Sequence, residues 1–168
     1  MALIKSKFNI VAIFAMYHSL CFSAELESIN HSLIQGVGFR DMSKSISLAS
    51  RYRADFRFKD YPIHALSEIG SEILSEIDPR LSTDISLGAQ MSYDVIKYVP
   101  YANVQLGTRI IEITRTHLRV GVGVSRVYQG GWFTFGEFTG RTWLASPNNL
   151  DGFIFLGVGF AQDINSPY

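Results

Sequence analysis

The 168-residue chain contains a single cysteine, Cys21, and no lysine beyond Lys97. One cysteine cannot close a disulfide within the chain, so the fold must be held by packing and hydrogen bonds alone. Neither sign of charge is in excess, with 15 basic and 15 acidic residues. That balance removes the electrostatic footprint expected of a nucleic-acid-binding protein. Past residue 24 no apolar run reaches the roughly 18 residues a membrane-spanning helix needs. Motifs of catalysis and metal binding are missing as well. There is no G-x-S-x-G elbow, no H-x-H and no H-E-x-x-H, so His31, His64 and His117 read as ordinary polar residues and no metal or cofactor is expected. Gly36-Val37-Gly38 lacks the third glycine and the following helix of a dinucleotide fingerprint.

The N-terminus carries a targeting pattern. Lys5 and Lys7 precede an apolar stretch, Phe8 to Phe22, interrupted by Asn9, His18 and Ser19. Small residues Ser23 and Ala24 follow, then Glu25 and Glu27. A short basic region, a short apolar core and a small-residue end describe a secretory signal peptide over 1–24. Its removal leaves one domain, 25–168, with no cysteine, 13 basic residues and 15 acidic ones, a net charge near −2. A domain of that length can bury a respectable core.

Strict alternation is what the chain has in abundance. From Ser45 to Lys59, Ile46, Leu48, Ser50, Tyr52, Ala54, Phe56 and Phe58 share one side. Arg51, Arg53, Asp55, Arg57 and Lys59 share the other. A period of two marks a strand with an apolar medium on one face and a polar one on the other. The same rhythm recurs over 84–95, 101–110, 117–128 and 152–162, with a weaker strand over 33–40, where Ile34 is out of phase, and two shorter candidates over 132–138 and 141–145, which makes eight candidate strands. Gln129-Gly130-Gly131 supplies a hairpin connection. One segment reads differently: Leu66, Ile69, Ile73 and Ile77 fall at helical spacing, with Glu68, Glu72 and Glu76 on another side. With Pro62 at its start and Asp78-Pro79 at its end, the spacing predicts a short amphipathic helix over 62–77.

Alternation cannot by itself say whether the apolar faces meet lipid or a soluble core. The polar faces are rich in glycine, serine, asparagine and glutamine, which suits a crowded barrel interior better than an open surface. Gly88, Gly107, Gly121 and Gly123 all fall on that side. There Arg51, Arg53, Arg57, Arg109 and Arg119 would pair with Asp55, Asp84, Asp94 and Glu112. Tyr52, Phe56, Phe58, Tyr93, Tyr98, Tyr101, Tyr128 and Trp132 fall mostly toward strand ends, where interfacial aromatic girdles occur.

Three stretches carry a resemblance. Pro100-Tyr101-Ala102-Asn103-Val104-Gln105-Leu106-Gly107 is similar to the P-Y-x-x-x-x-x-G pattern that opens strands in small bacterial outer-membrane barrels. Leu118 to Val124 and Phe155 to Phe160 resemble the L-G-V-G-[YF] strands of the same proteins, and the chain ends on aromatic Tyr168. The resemblance is to the class. It implies an all-β, antiparallel up-and-down barrel in the outer membrane of a Gram-negative envelope. The partners it implies are outer-membrane lipid or lipopolysaccharide, with envelope or host-surface proteins at loops such as 140–150. Two alternatives stand beside it. One is a soluble secreted or periplasmic barrel binding an apolar or lipid ligand, its mouth closed by the helix over 62–77. The other is a lipid-modifying acyl hydrolase or transferase, for which His31 with Ser32, or His117 with Ser125 and Asp94, would be the constellations to test. Serine is abundant enough for such neighbours to arise by chance, so no catalytic residue is assigned and the reading leans against an enzyme.

Overall fold

A computed structural model describes residues 25–40, 45–74, 80–93, 98–110 and 115–163. Eight strands follow in order: β1 (Leu26–Arg40), β2 (Ser45–Phe58), β3 (Ile63–Leu74), β4 (Arg80–Ser92), β5 (Tyr98–Arg109), β6 (Arg115–Val127), β7 (Trp132–Trp143) and β8 (Ser146–Asp163). Each pairs antiparallel with its neighbours in sequence, and β8 returns to β1 to close the barrel. The all-β up-and-down barrel expected from the alternation is the architecture observed. The signal peptide expected over 1–24 lies outside the described residues.

The register fixes the barrel's shape. A ladder row that leaves β1 at Ile29 passes Phe56, Ala65, Ala89, Val104, Val120, Gly140 and Gly152, and re-enters β1 at Phe39. The circuit therefore gains ten residues. Eight strands with that stagger tilt by about 40° from the axis, and the interior is just wide enough to be filled by side chains. A 12-residue strand such as β5 or β7 then rises about 30 Å, enough to cross a hydrocarbon layer.

Two departures from the expected elements have one cause each. The helix expected over 62–77 is instead strand β3, Ile63–Leu74, paired to β2 and β4 along its length. A spacing of four residues places side chains on one side of a helix and also on one side of a strand, because four is a multiple of two. The short candidates 132–138 and 141–145 are one continuous strand, β7. The count of eight was thus reached with one strand missed and one divided. The supposed loop over 140–150 is the end of the β7–β8 hairpin, with Leu144 and Ala145 at its turn. The seven connections between strands run to two to five residues each. At the β6–β7 turn Gly130 and Gly131 both take φ of 80°, a region costly for residues with a Cβ.

The polarity of the barrel is inverted relative to a soluble protein. Leu33, Leu48, Ile69, Val122, Ile154 and Leu156 are exposed, Leu156 at 69 %. Arginines and carboxylates fill the inside, with Arg141 at 0 %. Water does not tolerate so continuous an apolar band, whereas the acyl region of a bilayer requires one. Exposed Tyr61, Tyr93, Tyr98, Tyr128 and Trp132 ring the terminus-bearing end of the barrel, where β1 begins and β8 ends. Their equivalents at the far end, Ile46, Leu81, Ile110, Leu144 and Leu150, are aliphatic, with Phe39 the aromatic exception among the described residues. Tyr101, grouped with the girdle from sequence, is buried inside.

Candidate functional site

Inward-facing side chains come from alternate positions of every strand, so the interior brings together residues that no local motif joins. Space is made by a cross-strand rule. Six inward rings lie directly opposite a glycine on the neighbouring strand: Phe155 on Gly36, Phe153 on Gly38, Tyr101 on Gly123, His117 on Gly107, Phe135 on Gly157 and Phe133 on Gly159. A Cβ at Gly157 would stand 2.3 Å from Phe135 Cζ.

Toward the far end, Arg141 is the hub. It donates to Glu72 Oε2 at 2.7 Å and Oε1 at 3.3 Å, and to Asp151 Oδ2 at 2.9 and 3.2 Å. Asp84 Oδ2 lies 3.5 Å away. Arg109 shares the same acids, reaching Glu72 at 3.1 Å and Asp84 at 3.4 Å. Both guanidinium carbons lie over the Trp143 ring, at 4.7 and 4.8 Å from its centroid. The indole Nε1 of Trp143 donates to Asp151.

The middle layer is organised by Glu68 and Glu137. Glu68 accepts from Arg51 at 2.8 Å and from Arg53 at 3.0 Å, and Arg119 stands 2.8 Å from it. Arg119 also donates to Ser86 and Gln105. Glu137 accepts two bonds from Arg53 and one each from Tyr101, Asn103 and Thr139. Ions buried this deeply are tolerated only when every charge is met by an opposite charge and by hydrogen bonds. The pairing here is arranged across the barrel and not between ladder neighbours alone.

At the terminus-bearing end the packing opens into a cavity of about 110 Å³, lined among others by Asn30, Arg53, Asp55, Arg57, Tyr101 and Phe135. Asn30 donates to Asp55 Oδ2 at 3.4 Å, and His64 Nδ1 lies 3.5 Å from Asp55 Oδ1. The Arg53–Glu137–Tyr101 bonds form the floor.

Of the residues singled out from sequence, Arg51, Arg53, Asp84, Arg109 and Arg119 belong to the charged layers, and Asp55 and Arg57 line the cavity. Asp94 and Glu112 lie outside the described residues. The sequence reading missed Glu68, Glu72, Glu137, Arg141 and Asp151, which supply most of the network. Glu68 and Glu72 were hidden in the supposed helix. Glu137, Thr139 and Arg141 are in phase with Phe135 and Trp143 once β7 is read as one strand. The two nucleophile pairs do not form. His31 faces outward against Tyr52, its Nδ1 2.6 Å from the phenol oxygen, whereas the adjacent Ser32 faces inward. His117 is enclosed beside Trp143 near the far end, eight residues along β6 from Ser125, whose hydroxyl donates to Val99 O.

No family model matches the chain, and no curated protein matches it in sequence. Solved structures do match its fold. The N-terminal β-barrel domain of Pseudomonas aeruginosa OprF aligns with a TM-score of 0.65 at 14 % identity, over 83 % of this chain and 100 % of that one. Neisserial surface protein A, NspA, aligns at 0.60 with 14 % identity, over 79 % and 95 %. Ail, the attachment invasion locus protein of Yersinia pestis, aligns at 0.56 with 11 % identity, over 83 % and 99 %; it has also been solved with the heparin analogue sucrose octasulfate. The fold is that of small bacterial outer-membrane β-barrels.

Proposed function

We propose that this chain is a small outer-membrane β-barrel of a Gram-negative envelope, delivered by a signal peptide over 1–24, with a structural role. The observation that carries the reading is the inverted polarity: a continuous exposed aliphatic band around an interior of paired arginines and carboxylates. A soluble ligand carrier has the reverse arrangement. Its apolar pocket would also need about 300–1,000 Å³, against a polar-floored cavity of about 110 Å³ here. The crossed ion pairs between Arg53, Glu68, Glu137, Arg141 and Glu72 fill the bore, so the barrel acts as a closed module and not as a diffusion pore. Outer-membrane lipid and lipopolysaccharide are its lateral partners. Connections of two to five residues leave little chain for an adhesive surface and favour the structural role. The likeness to Ail, solved with a heparin analogue, supports the second reading, recognition of envelope or host-surface molecules at the far end.

Fractionation tests the proposal. The protein should be found in detergent-extracted outer membrane and change its gel mobility on boiling. A monomer recovered from the periplasm without detergent would sink it. Added to a planar bilayer, the barrel should give no sustained conductance.

A further inference from the structure

The terminus-bearing end of the bore contains three lone-pair-bearing side-chain atoms with a shared oddity. Asn30 Oδ1, Asp55 Oδ1 and His64 Nδ1 are each buried without a hydrogen-bond partner, on residues 7 %, 6 % and 6 % exposed. They sit on the inner faces of three successive strands. Asn30 and Asp55 are ladder partners across β1 and β2, and His64 lies on β3, whose Leu66 faces Asp55. Buried polar atoms are nearly always partnered, so three orphans in one place call for something to bind them.

All three atoms can donate a lone pair. The spacing is informative: Asp55 Oδ1 and His64 Nδ1 are 3.5 Å apart and form no hydrogen bond. A tetrahedral ion with metal–ligand bonds of about 2.0–2.2 Å sets its ligands about 3.3–3.6 Å apart. We propose that Asn30, Asp55 and His64 are the protein ligands of a divalent transition-metal cation, completed by water from the adjoining cavity. Asn30 and Asp55 line that cavity, which has room for the water. An imidazole, a carboxylate and an amide oxygen suit zinc and its borderline neighbours better than calcium or magnesium, which favour all-oxygen shells. The ion would tie β1, β2 and β3 together where the packing is loosest.

The spacing rules missed this set because its members are separated by 25 residues and by 9, and because one of them is an amide. Among the described residues no group of three His, Cys, Asp or Glu gathers for a metal. Two cations face the site. Arg53 is engaged by Glu68 and Glu137. Arg57, half-buried, lines the same cavity with its Nε also unpartnered, and its charge opposes a bound cation.

The test is calorimetric titration of zinc chloride into the full chain refolded in detergent. One zinc per barrel is expected. His64→Gln and Asp55→Asn should each weaken it about tenfold or more, while Arg57→Gln should tighten it severalfold. Gel mobility before boiling confirms that each variant is folded, and Arg57→Gln lies outside the ligand set should a ligand variant fail to fold. Imidazole nitrogen resonances provide a second reading: His64 should shift on zinc addition and His117 should not. Absence of binding at millimolar zinc would overturn the proposal. Binding of unchanged affinity in the ligand variants, or shifts confined to His31, would overturn it in favour of a surface site.

Discussion

Arg53 and Glu137, 84 residues apart in sequence, face each other across the bore and share two hydrogen bonds, of 2.7 and 3.0 Å. The fork-to-fork geometry is the strongest form of the guanidinium–carboxylate pair. Glu137 also accepts from Tyr101, Asn103 and Thr139, so one carboxylate ties β2, β5 and β7. Glu137→Ala leaves the Arg53 charge half-unpaired inside the barrel and should destabilise the folded barrel by about 3–5 kcal/mol. Urea unfolding in lipid vesicles measures it. The double variant Arg53→Met with Glu137→Leu should recover most of that loss, since the cost lies in the orphaned charge. A double variant no more stable than Glu137→Ala would contradict this.

Arg141 makes a different demand. Its guanidinium divides among Glu72, Asp84 and Asp151 while lying against Trp143 and Phe153. A lysine keeps the charge but can neither fork to two carboxylates nor stack on the rings. Arg141→Lys should therefore cost about 1–3 kcal/mol by loss of charge-assisted hydrogen bonds. Arg115→Lys, on an exposed residue at the start of β6, should stay within about 0.5 kcal/mol. Equal effects at the two positions would refute the special status of Arg141.

The polar interior was legible only where a strand announced itself. Along β2 the alternation is unbroken, and Arg51 and Arg53 could be placed inside from sequence. Along β3 it is disguised twice. Outward Ile69 and Ile73 are interleaved with Ser67 and Ser71, and inward Glu68 and Glu72 share their face with Leu66, buried at 0 %. Apolar residues on both sides, with acids spaced by four, imitate a helix. The pairing of β3 to two neighbours decided the matter, and pairing is a tertiary fact. The partners of the arginines were illegible for the same reason. They lie on strands brought round by barrel closure and not on neighbours in sequence.

The outward face gives a prediction of opposite character. Leu156 lies mid-strand on β8, 69 % exposed and paired across the ladder to Gln35 and Gly136. If that exposure is to lipid, Leu156→Arg should cost about 2–4 kcal/mol, the penalty for a cation near the bilayer midplane. In water the same change at so open a position would be nearly neutral. Folding into vesicles of increasing acyl-chain length, followed by urea titration, distinguishes the two. A cost under about 0.5 kcal/mol would argue against a lipid-facing band.

The rings set against glycines supply the sharpest steric test. At Gly157 a Cβ would come within 2.3 Å of Phe135 Cζ and 2.4 Å of its Cε1, far inside contact distance. Phe135 is held edge-on to Tyr101 at 6.3 Å and stacked with Phe133 at 6.2 Å, so any retreat toward the adjoining cavity must disturb both ring contacts. Gly157→Ala should cost about 1–3 kcal/mol through overpacking. Shortening the ring's side makes room, so Gly157→Ala combined with Phe135→Leu should be more stable than the sum of the two single changes. Neighbours in contact depart from additivity by about 0.5–3 kcal/mol, here in the favourable sense. Gly152 is the control. Its added Cβ would meet nothing nearer than Phe138 Cζ at 3.9 Å, and Gly152→Ala should be tolerated. Strict additivity of the Gly157 and Phe135 changes in a double-mutant cycle would show that the ring does not occupy the glycine's missing side chain.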